Sequence, residues 1–177
     1  MIKFIFMFFM FISCSQAQFI EPVVDEQLLP YKEDFEIIVG KNKNSYKLKK
    51  VNMYFADLNK NKKGTERTLG MCKGMYMDTT DINIDIEYWK TATDLSKKFT
   101  VLHELGHCIC TLGHTEIRNG FWESVFDTLK FKLGIGIRKG YLKDGCPASL
   151  MHPYEFDWFC MYTHYDYYMQ ELKQSCQ

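Results

Sequence analysis

The stretch LHELGHCICTLGH, residues 102–114, decides the fold that we expect for this chain. His103 and His107 are four residues apart, so on an α-helix they lie about 40° from each other around the axis and face the same side. A candidate N-cap, Asp94, precedes the stretch, and Gly113 supplies a stop signal. Apolar residues at helical spacing support a helix between them: Leu95, Phe99, Leu102 and Leu105.

The residue types in this stretch indicate zinc chemistry. Imidazole nitrogen is a preferred zinc ligand, and a catalytic zinc takes three protein ligands and keeps one position open. Glu104, next to His103, can take a proton from a water molecule at that position. The His-Glu-x-x-His pattern therefore predicts His103 and His107 as ligands and Glu104 as general base. The alternative is a chance pattern, in which both histidines are surface or capping residues.

The run that ends at His114 resembles the metzincin family of zinc peptidases, in which a third histidine follows a glycine turn at the end of the helix. In that family the glycine stands three residues after the second histidine and the third histidine six after it; here Cys110 and Gly113 occupy those positions. On a continuous helix His114 would lie about 10 Å beyond His107, so the helix must break. Gly113 can adopt the left-handed conformation of such a break, whereas Cys110 could do so only at a steric cost. The resemblance implies that His114 is the third ligand.

A second motif lies downstream, in residues 149–154, Ser-Leu-Met-His-Pro-Tyr. It resembles the Met-turn of metzincins, which implies that Met151 forms a hydrophobic floor under the three histidines. The resemblance also implies that His152, Pro153 and Tyr154 wall the substrate pocket, or that Tyr154 donates a hydrogen bond to the oxyanion. A methionine in a proline-terminated turn is also common in any protein core.

The remaining pattern predicts one α+β domain of α/β-like character. The resemblance implies a metzincin-type domain with a small twisted mixed sheet, an active-site helix and a C-terminal helix. Residues 82–88 alternate between apolar and polar and predict a strand at or near a sheet edge. In metzincins an edge strand before the zinc helix binds the substrate backbone by strand addition. The other predicted elements are helices at 28–39, 121–133 and 162–173, and strands at 51–55 and within 68–76.

The N-terminus has the order of a secretory signal: Lys3, an apolar run at 4–12, and small or polar residues at 13–18. We therefore expect a signal peptide over residues 1–17 and a single domain over 18–177. The apolar run is too short for a membrane span of about 20 residues. Alternatives are a lipoprotein signal with a lipid on Cys14 and a retained signal anchor. The expected localisation is secreted or in the cell envelope.

Cysteine usage agrees with export. Without Cys14, six of the seven cysteines remain, and an even number in an exported chain predicts disulfides. Several pairings are possible. Cys108 and Cys110 face different directions on a helix, so we do not expect them to pair with each other. Buried free thiols are the alternative.

Charge and the motifs together predict the function. The formal net charge is zero and no basic face stands out, which argues against nucleic acid as a partner. We expect a secreted, monomeric zinc endopeptidase that acts on peptide or protein substrates and has no membrane span in its mature chain. One alternative is a catalytically inactive, zinc-stabilised binding module. Another is a zincin with Glu123 as third ligand and Asp127 orienting a histidine, although these two acids also suit a solvated helix face. His164 is expected in the core or at the surface, without metal.

Overall fold

The computed structural model describes residues 22–40, 45–60, 67–74, 79–114, 140–153 and 156–177. These residues form an α+β arrangement with a three-stranded mixed sheet, as the sequence predicts. The predicted helix at 121–133 lies outside the described residues. Among the described residues, no helix has both the length and the apolar composition to cross a membrane. The elements are α1 (Leu29–Val39), α2 (Ser45–Leu48), β1 (Val51–Ala56), β2 (Gly70–Lys73), β3 (Thr80–Asp85), α3 (Ile86–Thr91), α4 (Asp94–Cys110), α5 (Trp158–Thr163) and α6 (Tyr165–Ser175).

The sheet has the order β1-β3-β2, with β3 parallel to β1 and antiparallel to β2. The sequence predicts that residues 82–88 form a strand at or near a sheet edge; an edge position is wrong, because β3 pairs on both sides and is the central strand of the three. The prediction failed because the polar residues Asn83 and Asp85, which suggested an edge, are buried. The strand also ends earlier than predicted, because the Asp85 side chain accepts the Tyr88 N–H and starts α3 at Ile86.

Helix α4 is the central element of the domain. Its N-cap is Thr93, whose hydroxyl accepts the Ser96 N–H, so the predicted cap, Asp94, is in fact the first helical residue. The helix packs against β2, β3, α1 and α5. Its fully buried side chains Leu102, Leu105 and Ile109 lie in the one core of the described residues. This burial supplies the hydrophobic stabilisation that holds the helix in place.

Three disulfides join the six cysteines, which confirms the prediction from the even count. Cys108 and Cys110 do not pair with each other, also as expected. Cys108 links the end of α4 to β2, and Cys110 links it to the residue that follows α6. The pairs are Cys72–Cys108, Cys110–Cys176 and Cys146–Cys160.

The C-terminal segment differs from the single helix predicted at 162–173. The structure divides it into α5 and α6, which meet at His164. The α5 helix begins at an N-cap, Asp157, that accepts the Phe159 N–H. In α6, Tyr168 is fully buried and its hydroxyl donates to the Pro147 carbonyl at 2.6 Å. This contact fixes the chain that leads into residues 149–152.

Candidate metal centre

Three histidine nitrogens form a small triangle at the end of α4. The Nε2 atoms of His103 and His107 are 3.0 Å apart. The Nε2 atom of His114 lies 3.2 Å from that of His103 and 3.1 Å from that of His107. Three nitrogens about 2.0–2.1 Å from one tetrahedral zinc ion are about 3.3 Å apart. The triangle therefore has nearly the size that one shared ion requires, and these three residues can hold a metal ion.

His114 joins the triangle because α4 breaks after Cys110. The break uses Thr111, which has φ 57° and ψ 32°, and not Gly113, the residue expected from the sequence. The Gly106 carbonyl accepts the backbone N–H groups of Thr111 and Leu112, which turns the chain back toward the helix. A β-branched residue in this left-handed region is strained by about 1–3 kcal/mol. The one-residue displacement of His114 is thus accommodated by backbone strain.

Backbone carbonyls orient two of the three rings. The Nδ1 atom of His103 donates to the Leu150 carbonyl at 2.9 Å, and that of His107 donates to the Leu112 carbonyl at 2.5 Å. A carbonyl oxygen only accepts, so each ring carries its proton on Nδ1. The Nε2 lone pairs of both rings therefore face the centre of the triangle, which is the tautomer that a metal ligand needs.

The electrostatics of the triangle also fit a cation. Burial lowers the pKa of His103 to about 4, against the opposing effect of its bond to the Leu150 carbonyl. Burial is likewise the main cause that lowers the pKa of His107 and of His114. All three rings are then neutral at neutral pH, and their Nε2 atoms converge at about 3 Å, two of them with lone pairs facing inward. A bound metal ion relieves this repulsion, since neutral imidazole is the ligand form.

Glu104 follows His103 on α4, and its side chain lies against strand β2. Its side chain is 7% exposed, and the Cys72 backbone N–H donates to its carboxylate. Burial raises the pKa of Glu104 to about 8, although the Cys72 N–H acts in the opposite direction. Gly70 leaves the space that this side chain occupies: a Cβ atom there would lie 2.5 Å from Glu104 Cγ and 2.7 Å from Oε1. Nothing in the sequence signals this contact.

The turn that carries Met151 packs directly on the histidine helix. Met151 is buried, and a Cβ atom at Gly106 would lie 2.9 Å from its sulfur. Since Gly106 stands between the two helical histidines, the methionine lies against the same segment of α4. The turn is held from α6: the Ser149 hydroxyl donates to the Glu171 carboxylate at 2.5 Å, and the Leu150 N–H donates to it at 2.8 Å. The role of Met151 as a floor for a metal site stays a prediction.

The predicted pocket residues are only partly described. His152 is buried, and its ring contacts those of Tyr141 and Phe156. Pro153 is exposed. Tyr154 lies outside the described residues, as do Glu123 and Asp127 of the alternative ligand set, so all three remain predictions.

A second cluster joins Asp144, Cys146 and His164, but its sulfur is not free. Cys146 is in the disulfide with Cys160 and cannot act as a thiolate ligand. His164 Nε2 lies 2.5 Å from the Asp144 carboxylate, and this hydrogen bond lowers the pKa of Asp144. The arrangement is a partly exposed hydrogen-bonded pair, and the expectation that His164 holds no metal stays a prediction.

Comparison of the chain with family models, with curated proteins and with solved structures finds no match.

Proposed function

We propose that this protein is a zinc-dependent endopeptidase that hydrolyses peptide bonds with Glu104 as general base. The observation that carries the proposal is the triangle of histidine nitrogens with a carboxylate on the same helix, one residue after His103. Three neutral imidazoles and an open fourth position are the donor set of catalytic zinc sites, whereas structural zinc sites in proteins are closed by four protein ligands.

The residues have separate tasks in this proposal. Zinc, when bound, acts as a Lewis acid that polarises a carbonyl and lowers the pKa of water. Leu150 and Leu112 keep His103 and His107 in the binding tautomer through their carbonyls. The positive charge of a bound zinc ion would lower the pKa of Glu104 and favour its ionised form. In that form Glu104 accepts a proton from the attacking water and passes it to the departing amine nitrogen. One water is consumed, the carbon–nitrogen bond breaks, and a carboxylic acid and an amine form.

Strand β2 is the element on which we propose that an extended substrate lies. Within the described residues β2 has one strand partner, β3. The outward N–H of Cys72 already bonds Glu104, so strand addition would use the other outward backbone groups of this edge. This role moves from residues 82–88, which form the central strand, to Gly70–Lys73. The position suits a peptide because Cys72 of the same strand touches Glu104.

Export remains part of the proposal. The signal-like residues 1–17 and the three disulfides suit an oxidising compartment, either as a secreted protein or attached to the cell envelope through Cys14. Mass spectrometry of the mature N-terminus distinguishes cleavage before Gln18 from a lipidated Cys14. A protein that retains residues 1–17 without a lipid would contradict both.

The direct test compares the wild type with Glu104→Gln. The glutamine side chain has the same shape and can still accept the Cys72 N–H, so we expect equal zinc content and a loss of about 10²–10⁴-fold in kcat. The matched control is Glu87→Gln, an exposed glutamate of α3, which should retain full activity. Equal cleavage by wild type and Glu104→Gln would refute the assignment.

The ligand set is tested separately by zinc content after dialysis. His114→Ala should lose tight zinc binding, whereas His164→Ala, outside the triangle, should keep one zinc per chain. Full zinc retention by His114→Ala would exclude it as the third ligand.

An inactive, zinc-stabilised binding module is the second candidate. It is favoured by the burial of Glu104 and its bond to the Cys72 N–H, because a carboxylate held in this way also suits a structural role. This candidate predicts stoichiometric zinc without peptide cleavage by the wild type.

A further inference from the structure

Strand β2 and helix α4 meet where the strand has no side chain. The three atoms nearest to a methyl group placed on Gly70 would all belong to Glu104: Cγ at 2.5 Å, Oε1 at 2.7 Å and Cδ at 2.8 Å. Real Cβ atoms do not approach other atoms this closely, so no other amino acid fits at Gly70 while Glu104 keeps its place. Glycine weakens a strand interior, and its usual justification there is a close approach such as this one.

Two further links fix the same strand to the same helix. Cys72, two residues after Gly70, faces the same side of the strand, and its N–H donates to the Glu104 carboxylate. Its sulfur is bonded to Cys108, the residue that follows His107 in α4. On its other side β2 pairs with β3, with Gly70 opposite Ile84 and Cys72 opposite Ile82. The strand therefore cannot move away from Glu104 without breaking these links.

We propose that Gly70 is a positioning residue for Glu104: its missing side chain lets the carboxylate lie against β2, where the Cys72 N–H holds it, on the helical turn that carries the metal-binding histidines. The catalytic consequence rests on the proposed function, but the positioning itself does not. The three atoms closest to a Cβ atom at Gly70 all belong to Glu104, so we expect a substitution there to displace the general base first and to leave metal binding unchanged.

A double-mutant cycle on thermal stability tests the contact without any assay of activity. Gly→Ala usually stabilises a protein where the backbone permits it, because it lowers the entropy of the unfolded chain. Here we expect Gly70→Ala to lower the Tm by several degrees. In a Glu104→Ala background the three close atoms are absent, so the same change should leave the Tm unchanged or raise it. Equal Tm shifts in both backgrounds would overturn the proposal.

Gly113 provides the matched control. A Cβ atom at Gly113 would meet nothing within 4 Å, and its φ is not in the left-handed region. Gly113→Ala should therefore shift the Tm by the same amount with and without Glu104. If Gly70→Ala does not fold, Gly70→Ala/Glu104→Ala should still fold, and failure of both would also overturn the proposal.

Zinc content and kinetics then separate positioning from general damage. Gly70→Ala should keep one zinc per chain and lower kcat about 100-fold with little change in KM, the scale expected for a general base displaced by about 1 Å. Loss of zinc, or a kcat within about threefold of wild type, would contradict a positioning role. If the wild type cleaves no peptide but the stability cycle shows coupling, the proposed function fails and the placement of Glu104 by Gly70 stands.

Discussion

Replacement of Asp85 by asparagine is expected to destabilise the protein by loosening the chain that leads into β2. The Asp85 side chain is 1% exposed and stands at the end of β3. One carboxylate oxygen accepts the Tyr88 N–H at 2.8 Å and the Arg67 guanidinium at 3.3 Å. The other accepts the Leu58 N–H at 3.2 Å and the Asn59 amide at 2.9 Å.

The magnitude follows from the donors that asparagine cannot satisfy. The new side chain can keep the Tyr88 cap with its oxygen, but its NH₂ group then faces the donors of Leu58 and Asn59. Asn59 cannot rotate its amide to adapt, since both ends of that amide bond Thr68. An unpaired buried donor costs about 1–3 kcal/mol, and these donors are half-buried, so we expect a total of about 2 kcal/mol. The Tm should fall by about 4–8 °C at this chain length.

The pH dependence gives the prediction a second, independent readout. Burial raises the pKa of Asp85, but the hydrogen bonds from Tyr88, Asn59 and Leu58 and the charge of Arg67 outweigh it and hold the pKa below its ordinary value of 3.8. A lowered folded-state pKa means that the ionised group stabilises the fold above about pH 4 and loses this contribution as the pH falls through the folded pKa. The gap in Tm between wild type and variant should therefore narrow below about pH 4.

The assay is thermal unfolding of both proteins from pH 3 to pH 8, followed by circular dichroism. Asp94→Asn is the control, because the Asp94 side chain is 96% exposed and has one long contact to Lys97, at 3.8 Å. It should change the stability by less than about 0.5 kcal/mol. A Tm for Asp85→Asn within about 1 °C of wild type at pH 7, or a gap independent of pH, would refute the reasoning.

The other predictions concern the end of α4 and the metal. Gly106→Ala should lower the free energy of unfolding by about 1–2 kcal/mol, although Gly→Ala usually stabilises a helix, because the new Cβ would meet the Met151 sulfur at 2.9 Å. In a Met151→Ala background the same substitution should become stabilising, and an unchanged loss of stability would contradict the contact. The double substitution Cys110→Ala/Cys176→Ala should lower the free energy of unfolding by about 4 kcal/mol, since this disulfide closes a loop of 66 residues. Unfolding in guanidinium measures this loss, and a loss under about 1 kcal/mol would contradict the loop-entropy argument. Thr111→Asn should raise stability by about 0.5–1 kcal/mol by relieving the strain at φ 57°, and a lower denaturation midpoint would show that the strain is absent. A chelator should lower the Tm of the zinc-loaded wild type by several degrees and leave a variant without its helical histidines unaffected.

The fold is foreseeable where local pattern and burial agree. Helix α1 ends at Val39 and β1 begins at Val51, both as predicted, because apolar spacing and the Gly40 that follows the helix, with φ 65°, are local signals. The strand at 82–88 shows where this reasoning fails. Its alternation suggested a solvated face, but Asn83 and Asp85 point into the protein, and Asp85 is satisfied by Leu58, Asn59 and Arg67 from earlier in the chain. An alternating pattern shows that a strand has an apolar and a polar face, but it does not show whether the polar face is exposed to solvent.

The candidate site divides in the same way. His103 and His107 share one face because four residues make about one helical turn, which is a property of any helix. The return of His114 depends on a left-handed Thr111, an unfavourable conformation that local preference would not select. The hydrogen-bond partner of His103 is the carbonyl of Leu150, 47 residues away. Every residue has a backbone carbonyl, so the sequence cannot identify this partner.

The sequence by itself determined the residue types that can bind zinc, their spacing on one helix, the α+β class and the presence of disulfides. These follow from short-range periodicity, side-chain chemistry and an even cysteine count. Only the tertiary structure decided the central position of β3, the pairing of the cysteines, the turn at Thr111 and the contact of Gly70 with Glu104. Three of these join segments distant along the chain, which the packed core and the disulfides bring together. The turn at Thr111 is local, but it takes a backbone conformation that a threonine disfavours.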